Sequence, residues 1–343
     1  MKSLKVLVLF DLSEKAPADQ NYSADLATPG WEVERDVMRA LRKLGHEPKL
    51  FGIYDELDAL LAELRSNRPD IVFNLVEQFA GDPAFDRAVA DFLELARVKY
   101  TGSSPAGLFL CKNKALAKEI LSYHRVRTPA FAVFPRGKKV RRPKRLGFPL
   151  FVKPLKEEAS YGIALSSFVE EDAALAERVG FIHERMGQDA IAEEYVEGRE
   201  LYVSVLGNDR LRVFPLRELV FRDVPADEPK VATYKAKWDE EYRKRRGIDN
   251  VAARKVPEEV EARIATIAKR TYRSLQMRGY GRIDARLTPE NELVVLEANP
   301  NPDLGAEEDF SESAKAAGIE YEDLLARILS LGLAATGGEE AKE

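Results

Sequence analysis

The acidic and amide residues between positions 282 and 299 have types and spacing that could hold a divalent cation. Residues 282–287 alternate polar and apolar side chains, and residues 293–296 form a second apolar run after a turn. This pattern predicts a β-hairpin. With simple pairing of its strands, Asp284 lies near Glu297, and Asn299 lies on the same face as Glu297. Two carboxylates and an amide oxygen suit Mg²⁺ or Mn²⁺.

Arg282 shares that face of the hairpin because it precedes Asp284 by two positions. It would place a cation beside the proposed metal site, where it could stabilise an anionic intermediate. An ordinary exposed hairpin with acids on its solvent face explains an isolated Asp284 and Glu297 equally well. The remaining residues of the string favour a site.

Composition and charge are typical of a chain with several folded domains. The 343 residues are 45% hydrophobic, enough for two or three domains with their own cores. The 53 basic and 58 acidic residues leave a net charge of −5, which provides no polycationic surface for nucleic acid. The single cysteine, Cys111, excludes a disulfide framework. The apolar run before Asp11 is too short for a signal peptide or membrane span, so we expect a cytoplasmic protein.

The segment before residue 101 alternates predicted strands with predicted helices. The strands are predicted at residues 6–10, 48–51 and 71–75, and the helices at residues 31–44 and 55–65. This order predicts a parallel sheet covered on both faces. Ligands of such sheets bind at the carboxyl ends of the strands, where we place Glu34 and Glu77. An ordinary solvated acid on an amphipathic helix explains Glu34 equally well.

Two lysines lie at the ends of predicted elements, and one of them is placed where phosphate groups could be held. Lys114 begins an amphipathic helix, and Lys153 ends a short apolar strand before the polar loop that contains Ser160. A cation at a strand end beside backbone N–H groups is what phosphate binding requires. A solvated helix lysine would explain Lys114 alone. The chain has no Walker A motif.

Two further segments contain charged residues of interest. Residues 191–196 and 200–205 are predicted strands that carry Glu193, Glu194 and Glu200. Carboxylates can accept hydrogen bonds from an adenine amino group or a vicinal diol, although a polar hairpin has the same pattern. Residues 221–247 are highly charged with little apolar periodicity, which is typical of a functional lid or a disordered segment.

The order of these motifs resembles the ATP-grasp superfamily, and within it the D-alanine–D-alanine ligase branch. The resemblance rests on GRIDARL…LEANPNP, the strand–Lys–Pro–loop ending at Gly162, EEYVEGRE, and the lysine in AKW. It implies a three-domain α/β ATP-grasp architecture. The implied segments are an N-terminal α/β domain at 1–101, a central subdomain at 102–196, and a C-terminal subdomain at 197–343 with a lid at about 222–247.

The resemblance also implies an ATP-dependent carboxylate–amine ligase that forms an acyl phosphate and releases ADP and phosphate. It implies ATP and Mg²⁺ or Mn²⁺ as cofactors and amino acids or short peptides as the carboxylate and amine substrates, and it allows a homodimer. No membrane or nucleic-acid partner is expected. The implied ATP site is Lys114, Lys153, Ser160, Glu193, Glu194, Val196, Glu200 and Lys237; the metal site is Asp284, Glu297 and Asn299; the catalytic residues are Arg282, Lys237 and Glu34.

The substrate end departs from the family pattern. A polar insert, residues 13–29, replaces a glycine-rich turn, and Glu77 replaces a histidine. Trp238 and Ala159 replace a tyrosine and a serine, so the hydrogen-bonded triad that these residues form with Glu34 in the family cannot form.

Glu308 or Asp309 stands where the family has a serine that binds the carboxylate of the second substrate. We therefore expect an amine substrate that is cationic or lacks a free α-carboxylate, because like charges repel. Two other functions stay open from the sequence. One is an authentic D-alanine–D-alanine ligase of cell-wall synthesis, and the other is an ATP-grasp small-molecule kinase or ATP-binding module.

Overall fold

The computed structural model describes residues 2–17, 20–157, 160–225 and 228–335. Within these residues the strands form three sheets that follow one another along the chain. In the same residues, no helix combines the length and the apolar character needed to cross a bilayer.

The first sheet is parallel, with strand order β2-β1-β3. Its elements are β1 (Lys5–Asp11), α1 (Glu32–Lys43), β2 (Glu47–Ile53), α2 (Asp58–Ser66), β3 (Ile71–Asn74) and α3 (Asp86–Leu95). Both faces of β1 are apolar because helices cover both: Val8 packs with α1, and Leu9 packs with α2 and α3. Gly45 follows α1 with a φ of +80°, a conformation that commonly ends helices. The predicted parallel sheet is confirmed.

The second sheet is antiparallel, with order β4-β7-β5-β6. Its elements are β4 (Phe131–Phe134), β5 (Leu150–Pro154), β6 (Phe168–Val169), α6 (Asp172–Phe181) and β7 (Ala190–Glu194). Helices α4 (Pro105–Lys112) and α5 (Lys114–Tyr123) precede it in the chain. Leu150 and Val152 pack against α6 through Leu175 and Val179. The alternate residues of β5 leave Lys153 available to the other face.

The third sheet has the order β11-β10-β8-β12-β13, with β9 paired to β8. Its strands are β8 (Arg199–Leu206), β9 (Arg212–Val213), β10 (Arg217–Phe221), β11 (Ile248–Ala252), β12 (Tyr280–Leu287) and β13 (Leu293–Pro300). Its helices are α7 (Tyr234–Trp238), α8 (Glu240–Arg246) and α9 (Glu258–Ser274). The predicted lid therefore contains two short helices between β10 and β11.

Strict alternation along β8 and β12 separates an apolar face from a polar one. Leu201 and Val203 of β8 and Ile283 of β12 join the core beneath α9. The residues between them, including Glu200 and Asp284, face the opposite side because side chains alternate along a strand. That polar face positions the candidate site.

Two packing relationships cross the predicted domain boundaries, which stay predictions. Cys111 of α4 and Leu121 of α5 pack in the core of the third sheet. The chain ends with α10 (Asp309–Ala316) and α11 (Tyr321–Ala334). Leu324 and Ile328 of α11 return to the core of the first sheet. The first and third sheets are thereby held together by apolar contacts.

Candidate active site

The hairpin of β12 and β13 brings the predicted metal-binding residues together. Its register pairs Asp284 with Glu297 and Arg282 with Asn299, followed by a β-bulge after Asp284. The predicted hairpin and its pairing are confirmed. No group of three His, Cys, Asp or Glu side chains in the described residues is arranged to hold a metal, and the candidate set here contains only two carboxylates with an amide. Among the same residues, the buried Nδ2 of Asn299 has no hydrogen-bond partner.

Arg282 and Asp284 form a bidentate ion pair. The Nε and Nη2 atoms of Arg282 donate to the two carboxylate oxygens of Asp284 at 2.8 and 3.0 Å. The guanidinium also lies over the ring of Tyr202, 4.6 Å from its centre. Burial opposes the charge of Arg282, but Asp284 outweighs this effect and raises the pKa of Arg282 above its ordinary value.

Lysines surround the carboxylate of Glu297. Burial alone would raise its pKa, but Lys114, Lys153, Lys237 and Lys118 outweigh burial and lower the pKa to about 2. The Nζ of Lys114 lies 3.7 Å from Oε2 of Glu297 and also donates to the carbonyl of Glu157. Four lysine side chains therefore act on the carboxylate at this end of the hairpin.

Glu193 joins two of these lysines in a buried network. Its carboxylate lies 2.8 Å from the Nζ of Lys118 and 3.0 Å from the Nζ of Lys153. Burial lowers the pKa of Lys118 to about 8, although Glu193 acts in the opposite direction. Sequence reasoning missed Lys118. The signal that could have found it is its spacing of four residues from Lys114, which places both on one face of α5.

A cleft lies between the second and third sheets. Its walls include the apolar side chains of Phe151, Ile163, Val231 and Leu296. The predicted site residues that line it are Lys153, Ser160, Glu193, Glu194, Val196, Glu200, Lys237, Asp284 and Glu297. The other four predicted residues, Lys114, Arg282, Asn299 and Glu34, do not line this cleft.

Arg286 is a lining residue that sequence reasoning did not select. It is buried, and its Nη2 donates to Oε2 of Glu200 at 2.6 Å. The signal was its position two residues after Asp284 on the polar face of β12. The carboxylate of Glu200 therefore lines the cleft while it is paired with Arg286.

The loop after β5 contacts the predicted lid over the cleft. The Oγ of Ser160 donates to the carbonyl of Ala232 at 2.8 Å, and the backbone N–H of Tyr234 donates to the carbonyl of Ile163 at 3.1 Å. Ser160 has a φ of +60°, so the loop makes a tight turn there. Glu194 is also engaged, because its Oε1 accepts a hydrogen bond from the N–H of Gly147 at 3.0 Å.

The comparisons with known proteins agree on one family. The family model described as D-ala D-ala ligase C-terminus matches residues 119–330. The chain is 33% identical over 327 residues to a D-alanine–D-alanine ligase of Oleidesulfovibrio alaskensis, which covers 92% of this chain and 98% of that one. This chain belongs to the D-alanine–D-alanine ligase family.

Two further relatives extend the comparison. This chain is 33% identical over 313 residues to an uncharacterized protein of Sinorhizobium fredii, with 88% of each chain covered. A D-alanine–D-alanine ligase from Bacillus anthracis, solved in complex with ATP, has a TM-score of 0.72 at 19% identity over 96% of this chain and 98% of that one. The predicted ATP-grasp architecture and the class of ATP-dependent carboxylate–amine ligase are confirmed. The roles assigned to single residues stay predictions.

The region predicted to bind substrate is rich in acids. Glu34 lies in the first turn of α1, and burial raises its pKa, with further increases from Asp11 and Asp303. Asp11 accepts a hydrogen bond from the N–H of Glu77 at 2.8 Å. A Cβ built on Gly305 would lie 3.4 Å from Oδ1 of Asp303, so this carboxylate borders the loop directly.

The structure distinguishes the two residues proposed at the serine position. Asp309 is buried, lies 3.3 Å from Nε of Arg217, and accepts a hydrogen bond from Asn250. Glu308 is exposed at the start of α10, so its carboxylate is open to solvent. Burial and Asp303 both raise the pKa of Glu308.

The other residues that differ from the family pattern belong to the insert at 13–29, the lid and the loop after β5. Tyr22, from the described part of the insert at 13–29, packs against Phe10 with ring centres 5.1 Å apart, and Phe10 packs against Trp31 at 5.2 Å. The insert is thereby anchored beside the start of α1. Trp238 is 58% exposed on the lid. Ala159 lies outside the described residues.

Proposed function

We propose that this ligase binds ATP in the cleft and joins a substrate carboxylate to an amine that is cationic or lacks a free α-carboxylate. The observation that carries the proposal is the separation of charge along the site. Lysines converge on Glu297 at the cleft, whereas Glu34, Asp303 and Glu308 gather at the substrate end. A polyanion suits the first region, and a cation suits the second.

The cleft residues have complementary parts in ATP binding. Phe151, Val196 and Leu296 supply apolar surface for the adenine ring. Glu200 accepts hydrogen bonds from the ribose hydroxyls, and Lys153 and Lys237 hold the phosphates. Glu193 holds Lys153 and Lys118 in place through its two buried ion pairs. Lys114 reaches the phosphates from beside Glu297.

The hairpin residues fit Mg²⁺ or Mn²⁺. Asp284, Glu297 and the amide oxygen of Asn299 form an all-oxygen set, and the buried Nδ2 of Asn299 has no hydrogen-bond partner in the described residues. Arg282 donates one hydrogen bond to each oxygen of Asp284, which leaves a further lone pair on each oxygen for a metal. When bound, the metal would supply charge neutralisation for the transferred phosphoryl group.

The proposed reaction follows from these positions. One carboxylate oxygen attacks the γ-phosphorus, and the bond to ADP breaks, giving an acyl phosphate. The neutral amine then attacks the carbonyl carbon, loses a proton, and expels inorganic phosphate. Lys237 stabilises charge during phosphoryl transfer, and Arg282 stabilises the tetrahedral oxyanion. No nucleophile from the protein is required. Glu34 binds the ammonium group of the first substrate.

The acids at the substrate end determine the class of amine. A carboxylate about 4 Å from Glu308 would be repelled by roughly 1 kcal/mol even at the dielectric constant of water. A second cationic group on the amine substrate would be attracted instead by Glu308 and Asp303. A cytoplasmic location and a homodimer belong to the same proposal and rest on the sequence and the resemblance.

A screen of ATP turnover tests the proposal. Purified protein with ATP and Mg²⁺ is supplied with D-alanine, other amino acids, diamines, amino-acid amides and short peptides, singly and in pairs. We expect phosphate release only when a carboxylate and an amine are both present, with the highest rate for a cationic amine. A stable phosphorylated product formed without any amine would show a kinase. Saturable D-alanyl-D-alanine synthesis at about 10 s⁻¹, typical of a dedicated enzyme, would show an authentic D-alanine–D-alanine ligase.

A further inference from the structure

Arg286 joins the nucleotide cleft to the lid through one buried guanidinium. Its Nη2 donates to Oε2 of Glu200 at 2.6 Å and to the carbonyl of Lys230 at 2.5 Å. Its Nη1 donates to the carbonyl of Gly198 at 3.0 Å. The guanidinium carbon also lies 5.6 Å from the ring centre of Tyr195. These partners come from β8, from the turn before it, and from the lid.

A guanidinium this deeply buried is stable only when its donors are satisfied. Arg286 is 4% exposed, and removal of a charged group from water is costly unless ion pairs and hydrogen bonds compensate. Two of its partners are backbone carbonyls, whose positions depend on how the chain runs. If the lid segment moved, the guanidinium would lose the carbonyl of Lys230. The position of the lid therefore affects whether all the donors of Arg286 are satisfied.

The pairing leaves one oxygen of Glu200 oriented for a ligand. Oε2 is held by Arg286, whereas Oε1 makes a long contact of 3.5 Å with the hydroxyl of Tyr202. Both Arg286 and Glu200 line the cleft, together with Val231 and Ala232, which follow Lys230 in the lid. A diol bound to Oε1 would thus be connected to the base of the lid through Glu200 and Arg286.

We propose that Arg286 is a positioning residue that orients Glu200 toward the ribose and makes ordering of the lid depend on the ribose hydroxyls. The inference rests on the proposed ATP site. Arg286 itself does not touch the reacting atoms. It acts by holding a carboxylate on one side and a lid carbonyl on the other.

The test compares nucleotides that differ by one hydroxyl. Dissociation constants for ATP, 2′-deoxy-ATP and 3′-deoxy-ATP are measured with Mg²⁺ for the wild-type protein, Arg286→Met and Arg286→Lys. A hydrogen bond to a carboxylate predicts that wild-type protein binds at least one deoxy nucleotide about tenfold more weakly than ATP. In Arg286→Met we expect this ratio to fall to within about twofold, because Glu200 is no longer oriented. Arg286→Lys should give an intermediate ratio, since it keeps a cation without the planar fork.

Arg199→Met is the matched control. Arg199 is the first residue of β8 and, like Arg286, pairs with a glutamate, Glu218, at 2.6 Å, but it is not among the residues that line the cleft. It should keep the wild-type ratio. Lid cleavage by trypsin at saturating non-hydrolysable ATP analogue is the second measurement. The analogue should protect the lid of wild-type protein and Arg199→Met, but not that of Arg286→Met.

The outcomes separate this inference from the proposed function. If wild-type protein does not bind ATP, the proposed site fails and the inference fails with it. If wild-type protein binds ATP with no preference for the hydroxyls, or if Arg286→Met keeps both the preference and the protection, only the role of Arg286 is overturned. If Arg286→Met does not fold, Arg286→Lys decides the question, and an unchanged ratio in that variant overturns the inference.

Discussion

The guanidinium of Arg282 binds both carboxylate oxygens of Asp284, at 2.8 and 3.0 Å. The residue proposed to stabilise an oxyanion and the residue proposed to hold a metal therefore neutralise each other in this conformation. Each oxygen of Asp284 keeps a second lone pair beside its hydrogen bond to Arg282, so the ion pair leaves a position for a metal. A bound metal would compete with Arg282 for the negative charge of Asp284.

Loss of either hairpin carboxylate should abolish metal-dependent ATP turnover. We expect activity in Asp284→Asn and Glu297→Gln to fall by at least about 100-fold, because each substitution removes a proposed metal ligand. Asp284→Asn also leaves Arg282 as a buried cation without its carboxylate, which could cost about 3–5 kcal/mol of stability. Thermal unfolding therefore has to accompany the turnover assay.

Glu292→Gln provides the control for that experiment. Glu292 lies on the same hairpin, but its side chain is 56% exposed and pairs with Arg127 at the surface. It should retain wild-type turnover. Near-normal turnover in both purified, folded metal-site variants would show that the metal assignment is wrong.

Glu297 should contribute to stability in a way that disappears in acid. Burial opposes its charge, but the surrounding lysines lower its pKa from 4.5 to about 2. Between these values the unfolded chain binds more protons than the folded one, so stability falls as pH falls through this window. The contribution is complete above the unfolded pKa. Because the side chain is 25% exposed, salt should weaken the effect.

Chemical denaturation of wild-type protein and Glu297→Gln between pH 7 and pH 3 measures this contribution. The wild-type protein should be more stable at pH 7, and the difference in unfolding free energy should shrink steadily below about pH 4.5. Glu292→Gln should differ from the wild type by no more than about 0.5 kcal/mol at either end. A constant difference for Glu297→Gln across the range would contradict the electrostatic explanation.

Cleavage in the lid should depend on nucleotide. The segment 223–247 contacts the rest of the protein through hydrogen bonds such as those of Ser160 to the carbonyl of Ala232 and of Arg286 to the carbonyl of Lys230. We expect trypsin to cut it more slowly when a non-hydrolysable ATP analogue and Mg²⁺ are added, because bound phosphates would hold Lys237. Cleavage after Arg65, in α2, serves as the internal standard. Equal lid cleavage with and without analogue would argue against a nucleotide-ordered lid.

Replacing Glu308 by serine should improve the use of D-alanine as the amine. The substitution removes a negative charge and supplies a hydroxyl donor, so we expect kcat/KM for D-alanine to rise by about fivefold or more and that for a cationic amine to fall. Glu307→Ser, one position earlier and also exposed, is the control. If Glu308→Ser and wild-type protein rank the two amines in the same order with the same ratio, Glu308 does not select the amine.

Local patterns were sufficient to predict much of this protein. The alternation of polar and apolar residues along β8 and β12 determined which side chains face α9 and which face the cleft, because a strand has a two-residue repeat. The same repeat, with the turn, was enough to pair Asp284 with Glu297. The apolar run before Lys153 likewise placed that lysine at the end of a buried strand.

The pairing of charged groups, by contrast, followed from the three-dimensional fold. Lys118 and Glu193 are 75 positions apart in sequence number, and Glu200 and Arg286 are separated by 86 positions, so no local repeat specifies either ion pair. Glu308 and Asp309 are adjacent and both acidic, yet one is exposed and the other is buried against Arg217, because α10 turns one of them into the protein. The sequence pattern of charged residues does not identify the partner of each one. Their pairing depends on how separate sheets dock, and docking is a property of the folded chain as a whole.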